Sequence, residues 1–212
     1  MNSLIKVLIA DDHPVVRRGL RRILEDEVDM EVTDEARNAQ ETLDLASKKE
    51  CDVLVLDIEM PGRSGLDVLK DLKKYRPKLP VLVLSIHSEE QFAVRVLRAG
   101  AVGYLTKETA PEELVKAIRR VYGGGKYISA SVAEKLASEP YIGNGKAPHV
   151  TLSDREFEVL LMIASGKAVS QIAKEVSLSV KTISTYRARI LAKMGMKTNA
   201  QLTHYAIENK LV

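Results

Sequence analysis

Four consecutive apolar residues, Val53, Leu54, Val55 and Leu56, run into Asp57, and Pro61 and Gly62 then turn the chain. No other stretch limits the fold as tightly. A run without a polar face reads as a strand covered on both sides, the situation of a strand in a parallel sheet. Ending it on aspartate puts a charge at the rim of the sheet, where open α/β sheets bind their ligands. A lone aspartate after a strand serves equally as a helix cap or turn residue. The other strand ends must decide between the two.

They repeat the pattern. Leu4 to Ala10 is a short, mostly apolar strand that stops on Asp11 and Asp12. Pro14 suits the first turn of a helix whose apolar stripe is Val15, Val16, Leu20, Ile23 and Leu24. The spacing then predicts a weak strand at 30–33, a helix at 40–47, the strand ending on Asp57 and a helix at 66–75. Val81 to Leu84 is another buried strand, ending on Ser85. Ser88-Glu89-Glu90-Gln91 has the form of a capping box, opening a helix that stops at Gly100. A fifth strand at 101–105 precedes Lys107 and a helix at 111–122. Five strands alternating with five helices imply an α/β doubly wound, five-stranded parallel sheet with right-handed crossovers. Asp11, Asp12, Asp57, Ser85 and Lys107 then gather at one edge.

Gly123-Gly124-Gly125 closes this first domain, taken as residues 1–124. Residues 125–150 read as a linker with a short helix at 130–137, followed by the Pro- and Gly-rich stretch from Glu139 to Pro148. From 151 to 212 the pattern is wholly helical: a capping box at Ser153 to Glu156, a short helix at 170–176, a longer one from the cap Ser179 to Met194, and a last one capped by Asn199. This is a small four-helix domain. A length of 212 residues suits two such domains.

The net charge of +3 hides an asymmetry: residues 1–122 hold 20 Lys and Arg against 22 Asp and Glu, whereas residues 123–212 hold 12 against 7. Between Val176 and Ile207 there is no acidic residue, while Lys181, Arg187, Arg189, Lys193 and Lys197 are basic. A solvated helix face normally mixes signs, so this run points to a polyanion. Ile172, Ala173, Val176, Leu178, Ile183 and Tyr186 fit the apolar anchors of a helix-turn-helix, with Ser177 in the turn where many such motifs have Gly. The helix from Val180 would then lie in the major groove of double-stranded DNA. Lys181, Thr182, Ser184 and Thr185 are its base-reading candidates. Arg187 and Arg189 reach bases or phosphates, and Lys193 and Lys197 add salt-sensitive attraction. The single cysteine, Cys51, excludes intrachain disulfides, and neither a signal-peptide layout nor an apolar run of membrane-spanning length is present. A cytoplasmic protein without membrane partners is expected.

Three carboxylates in one pocket repel one another, and a hard divalent cation such as Mg²⁺ neutralises them most simply while keeping waters for a phosphate donor. A carboxylate can attack phosphorus to give an aspartyl phosphate. Lys107 would offset charge on the phosphoryl group, and Ser85 would donate a hydrogen bond to one of its oxygens. His13 beside the acids is read as a partly exposed non-ligand.

Asp11-Asp12, Asp57 with Met60-Pro61 and Gly65, Ser85, and Gly103-Tyr104-Leu105-Thr106-Lys107 together resemble the receiver domain of bacterial response regulators. Leu152-Ser153, Arg155-Glu156, Ile172-Ala173 and Lys181 to Tyr186 resemble a LuxR-type DNA-binding domain. The order receiver, linker, LuxR-type domain is similar to the NarL/FixJ family and, in Lys181 to Arg187 and Leu202 to Ala206, to its GacA/UvrY branch. The resemblance implies that a sensor histidine kinase phosphorylates Asp57, with Mg²⁺ held by Asp12, Asp57 and the backbone carbonyl of Glu59, and by Asp11 through water. It implies Ser85 and Tyr104 as a switch pair, Glu59 and His87 as residues that tune phosphorylation lifetime, and homodimerisation on activation with a contact around Leu202 and Ile207. It further implies regulation of promoters together with RNA polymerase. Glu108 stands where many receivers have Pro, so the isomer of the Lys107–Glu108 bond is open, a non-Pro cis bond costing about 3 kcal/mol.

Three rival readings make different demands. A phosphatase or phosphotransferase using Asp57 and Glu59 needs the second carboxylate free and leaves the basic helices unexplained. A flavodoxin-like nucleotide binder would want a glycine-rich phosphate loop where Asp11-Asp12-His13-Pro14 stands. An adaptor acting through protein contacts alone would show no salt-dependent DNA binding.

Overall fold

A computed structural model describes residues 4–87, 89–138, 147–209, 211 and 212. Ser88, expected to open a capping box, and residues 139–146, the middle of the expected linker, lie outside the described residues. The chain divides into two compact units, Met1–Lys135 and Leu136–Val212. Neither contains, among the described residues, a helix long and apolar enough to cross a membrane.

In the first unit the strands are β1 (Ile5–Ala10), β2 (Met30–Ala36), β3 (Val53–Asp57), β4 (Val81–Ser85) and β5 (Gly103–Thr106). They form one sheet in the order β2-β1-β3-β4-β5, every pair parallel. The order reverses at β1, so β1 and β3 lead away in opposite directions from a crevice at their carboxyl ends, the binding position in doubly wound sheets. β1, β3 and β4 are central and buried almost throughout, which accounts for their lack of alternation.

The connecting helices are α1 (Pro14–Glu25), α2 (Ala39–Lys48), α3 (Gly65–Tyr75), α4 (Glu89–Arg98) and α5 (Ala110–Tyr122). Leu20 and Leu24 of α1 and Leu114, Ala117, Ile118 and Val121 of α5 close one core with Val7, Ile9, Val55, Leu82 and Leu84. The alternate strand residues Leu8, Leu54, Leu56 and Val83 are equally buried and face the other layer of helices. Burying a Leu or Val side chain contributes roughly 1.5–3 kcal/mol, so these two layers hold the sheet edge rigid.

Two expectations shift. β2 runs to Ala36 instead of stopping near Thr33; Thr33, Asp34 and Glu35 are half-buried on an edge strand, and polar residues there give no apolar signal. β5 starts at Gly103, later than expected. After α5 the residues leading into α6 (Ala130–Ser138) return along β5 rather than leaving the domain: Tyr127 bridges Gly103. The Lys107–Glu108 bond is trans.

The second unit has a short 3₁₀ turn, Pro148–Thr151, then α7 (Asp154–Ala164), α8 (Val169–Glu175), α9 (Val180–Met194) and α10 (Asn199–Glu208). From Glu156 to Ala164 every residue of α7 is buried, because α8, α9 and α10 all pack on it. Its capping box forms as expected: Ser153 Oγ accepts from Glu156 N, and Glu156 Oε2 accepts from Ser153 N at 2.8 Å. The cap of α10 is Thr198, not Asn199, which is the first helical residue. Ser177 turns between α8 and α9 with φ of 53°, a left-handed conformation in which a Cβ is strained.

Gly65 ties the β3–α3 turn to the sheet. Its N–H donates to Ile58 O at 2.9 Å, and a Cβ at this position would stand 2.1 Å from Asp57 O. The obstruction is backbone and has no soft way to yield. Gly65→Ala is therefore expected to cost the first unit roughly 1–3 kcal/mol. Denaturant melts of the wild-type and variant chains followed at the first unit would check this; an unchanged midpoint would mean that the turn is slack.

Candidate functional site

Each strand end delivers its side chain to the crevice. Asp11 follows β1, Asp57 ends β3, Ser85 ends β4 and Lys107 follows β5. All four are buried or nearly so. Lys107 Nζ lies 2.7 Å from Asp57 Oδ2 and 2.8 Å from Asp11 Oδ2. Asp57 Oδ1 accepts from Glu59 N at 3.0 Å, and Asp11 Oδ1 from His13 N at 2.7 Å. The N-cap position of α1 is His13, which makes no side-chain cap, so neither Asp11 nor Asp12 is consumed as a helix cap.

The contacts leave the pocket short of partners. Lys107 Nζ stands against Asp11 Oδ2 as an ion pair, and that buried oxygen makes no further contact that counts as a hydrogen bond. Asp12 Oδ1 is likewise buried without one, although His13 Nδ1 is 2.9 Å away. Asp11, Asp12, His13 and Asp57 each present a ligand atom, all within 4.8 Å of one another. An acidic pocket with unsatisfied oxygens can bind a metal ion.

The electrostatics follow from burial. Desolvation, reinforced by the charge of Asp11, pushes the Asp57 carboxyl up to about 7 despite Lys107. Burial alone would lower Lys107, but Asp57 and Asp11 outweigh it and hold the ammonium above its ordinary value. Burial also raises the Tyr104 phenol, with hydrogen bonding to Ser85 pulling the other way. The Tyr104 ring points inward, its hydroxyl donating to His87 O at 2.8 Å, while His87 N donates to Ser85 Oγ at 3.0 Å. His87 Nε2 stands 2.9 Å from Glu59 Oε1, and the His87 ring stacks on Phe92 with centroids 4.6 Å apart. Sequence reasoning missed Arg17: its guanidinium donates to Asp11 O at 2.7 Å and faces Glu35, bracing the end of β1 from α1. Its spacing three and seven residues before Leu20 and Leu24, which puts a charge on the apolar stripe of α1, was the available signal.

In the second unit Ser179 Oγ caps α9 by accepting from Thr182 N at 3.0 Å, as expected. Lys181, Ser184, Thr185 and Arg189 are exposed on α9, and Thr182 is half-buried. Two of the expected basic residues have intramolecular work. Arg187 Nε donates to Asn199 Oδ1 at 2.5 Å, and Lys193 Nζ pairs at 2.6 Å with the buried Glu156 Oε2. Leu202 is buried inside the unit, which leaves Ile207 as the exposed member of that expected pair.

With this geometry in view, residues 7–119 match the model of the response regulator receiver domain, and residues 150–206 that of bacterial regulatory proteins of the luxR family. The chain is 37% identical over 209 residues to the response regulator UvrY of Escherichia coli strain K12, covering 98% of this chain and 96% of that one. It is also 37% identical over 210 residues to GacA of Pseudomonas aeruginosa, covering 99% and 98%. Among solved structures, RcsB of Salmonella enterica serovar Typhimurium, bound to promoter rprA with the phosphomimetic BeF3⁻, is 29% identical with a TM-score of 0.66 over 96% of this chain and 98% of that one.

The chain belongs to the NarL/FixJ-family response regulators. The acidic crevice lies within the matched receiver and α9 within the matched LuxR-type domain, the organisation of a transcription regulator of a two-component system.

The raised Asp57 makes a pH prediction for this response regulator. An acid held near 7 in the folded receiver and near 3.8 when unfolded binds its proton more tightly when folded. Its burial then costs stability that is absent below about pH 4, grows as pH rises and is complete above about 8. Asp57→Asn removes that cost. In chelator-treated protein the variant should be more stable than wild type at pH 8, and its advantage should shrink by about 2–3 kcal/mol by pH 5. Denaturant melts at both pH values would check this, and a pH-independent difference would refute a raised Asp57.

Proposed function

We propose that Asp57 is the phosphoacceptor of this regulator, and that its phosphorylation controls dimerisation and sequence-specific binding of double-stranded promoter DNA by α9. The observation that carries this reading is the buried Asp57 carboxylate, with the Lys107 ammonium at 2.7 Å in a pocket shared with Asp11 and Asp12.

Leaving aside the largely exposed His13, the donors fit Mg²⁺: they are acidic oxygens, two of them lacking hydrogen bonds. Asp12, Asp57 and the Glu59 carbonyl would hold the ion, and Asp11 would do so through water. When bound, the cation supplies shielding of negative charge on the phosphoryl group. The chain's own residues do the rest. An Asp57 oxygen attacks phosphorus of a phosphohistidine on the sensor kinase. The P–N bond breaks, and the leaving imidazole takes its proton from solvent. Lys107 pairs with the charge gained, and the Ser85 hydroxyl donates to a phosphoryl oxygen, with Tyr104 inward behind it. The Glu59–His87 pair at 2.9 Å borders the approach of hydrolytic water and tunes how long the phosphate lasts. The receiver thus modifies only itself. A turnover phosphatase would need the Glu59 carboxylate on a leaving group, and His87 already engages it.

On the output side, Lys181, Ser184, Thr185 and Arg189, with Thr182 beside them, present donors on the N-terminal and outward parts of α9 without a neighbouring acid. Arg187 and Lys193, held by Asn199 and Glu156, contribute positive charge toward phosphates more than base contacts. The promoter-bound relative supports DNA as the ligand. Exposed Ile207 on α10 is the dimer contact. The protein works in the cytoplasm beside RNA polymerase.

Incubation with acetyl phosphate and Mg²⁺ should add one phosphate, read by intact-protein mass spectrometry; unchanged labelling of Asp57→Asn would remove Asp57 as acceptor. Lys181→Ala should weaken promoter binding by about 1–3 kcal/mol if it reads a base. A merely phosphate-directed Lys181 would weaken all sequences alike and flatten the salt dependence. Fluorescence anisotropy on specific and scrambled duplexes separates the two, and full affinity on both would sink the assignment of α9.

A further inference from the structure

The residues after α5 were expected to begin a linker, yet they are built into the receiver. Tyr127 N donates to Val102 O at 2.9 Å and Tyr127 O accepts from Tyr104 N at 3.1 Å, so Tyr127 makes a single parallel bridge on the free edge of β5. The approach is close enough to need Gly103, where a Cβ would sit 3.0 Å from Tyr127 O. Two residues on, Ser129 N donates to the Glu89 carboxylate at 2.8 Å, at the first turn of α4. Ser129 Oγ in turn accepts from Val132 N at 3.3 Å, starting α6, and Val132 is fully buried. The segment is therefore fastened to β5 by its backbone and to α4 by one carboxylate.

Beneath it lies a cavity of about 250 Å³, lined by Tyr104, Glu89, Thr106, Glu113, Tyr127 and Ser129. Tyr104 borders this space with its ring turned away, its hydroxyl on His87 O. A ring rotated outward from β5 would enter that space and press on the Tyr127–Ser129 backbone.

We propose that residues 126–132 form a strap that reports the state of the receiver: it seats on β5 and Glu89 when Tyr104 is inward and lifts when Tyr104 swings out. The proposal rests on the reading of Asp57 and Tyr104 given above. Phosphorylation draws Ser85 and Tyr104 inward, clears the cavity and fixes the strap. That in turn orders the start of α6. Glu89 is a positioning residue here. It touches neither the phosphate nor DNA, and it acts through Ser129.

Hydrogen exchange on the full chain, with and without acetyl phosphate and Mg²⁺, tests this, with intact mass reporting phosphorylation in the same samples. Phosphorylation should slow exchange of the amides of residues 127–132 roughly tenfold. Glu89→Ala should abolish that slowing and the accompanying gain in DNA affinity while the phosphate incorporated stays unchanged. Glu89→Gln, which keeps an acceptor for Ser129 N, should restore both. Full phosphorylation with no change in exchange at 127–132, or a Glu89→Ala protein that responds like wild type, would overturn the strap. Failure to incorporate phosphate at all would instead overturn the reading of Asp57.

Discussion

Everything in the receiver turns on one imbalance: buried carboxylates gather at the rim of a parallel sheet around a single ammonium. Lys107 reaches Asp57 and Asp11 at 2.7 and 2.8 Å, and Asp12 stands beside them with a buried oxygen lacking a hydrogen bond. Charge removed from water at this density is expensive unless it is matched. The site thus has a standing demand for positive charge, which a divalent cation would meet and an added phosphoryl group would sharpen. The Glu59 and His13 amides are fixed donors to the Asp57 and Asp11 carboxylates, and Arg17 holds the backbone carbonyl of Asp11. The rigid two-layer core behind β1, β3 and β4 keeps them from relaxing apart.

The legible parts of this architecture were those whose signal is apolar. Val53 to Asp57 and Val81 to Ser85 are buried on both faces, so an unbroken apolar run followed by a polar residue marks strand and site together. β2 was harder to read because it is an edge strand whose Thr33, Asp34 and Glu35 face partly into solvent. Side-chain partners across the fold left no local trace. The Lys193–Glu156 pair joins residues 37 apart and the Arg187–Asn199 bond residues 12 apart, so both cations looked free in a sequence that shows only a run of positive charge. The same holds for the cap of α10: Thr198 and Asn199 are both good capping residues, and only the extended backbone of Thr198 decides between them.

The second unit carries its charge differently. α7, buried from Glu156 to Ala164, holds two buried carboxylates, Glu156 and Glu158, and each has a cation, Lys193 and Arg155. Pairing removes acid from the surface at the cost of two basic side chains, yet Lys181 and Arg189 stay exposed on α9 with no acid between Val176 and Ile207 to compete for them. The positive face therefore survives because two of the unit's acids are tied into its core contacts and none falls between Val176 and Ile207.

Within the first unit, Tyr104 joins the acidic site to the edge of the sheet. Its backbone N–H is part of the edge that Tyr127 extends, and its hydroxyl reaches the loop that carries Ser85 and His87. One residue is thus bonded on one side to the loop beside Asp57 and on the other to the segment that follows α5. A packed sheet transmits displacement poorly by gradual bending and well by a side chain with two resting places. An aromatic ring at the last strand, with a cavity on its outer side and Ser85 on its inner side, has the form of such an element. The edge strand is where a sheet can gain or lose a partner at least cost to its core, because β5 has only one neighbour in the five-stranded sheet. A change at the buried carboxylates would therefore be read more readily at β5 than at the central strands that hold them.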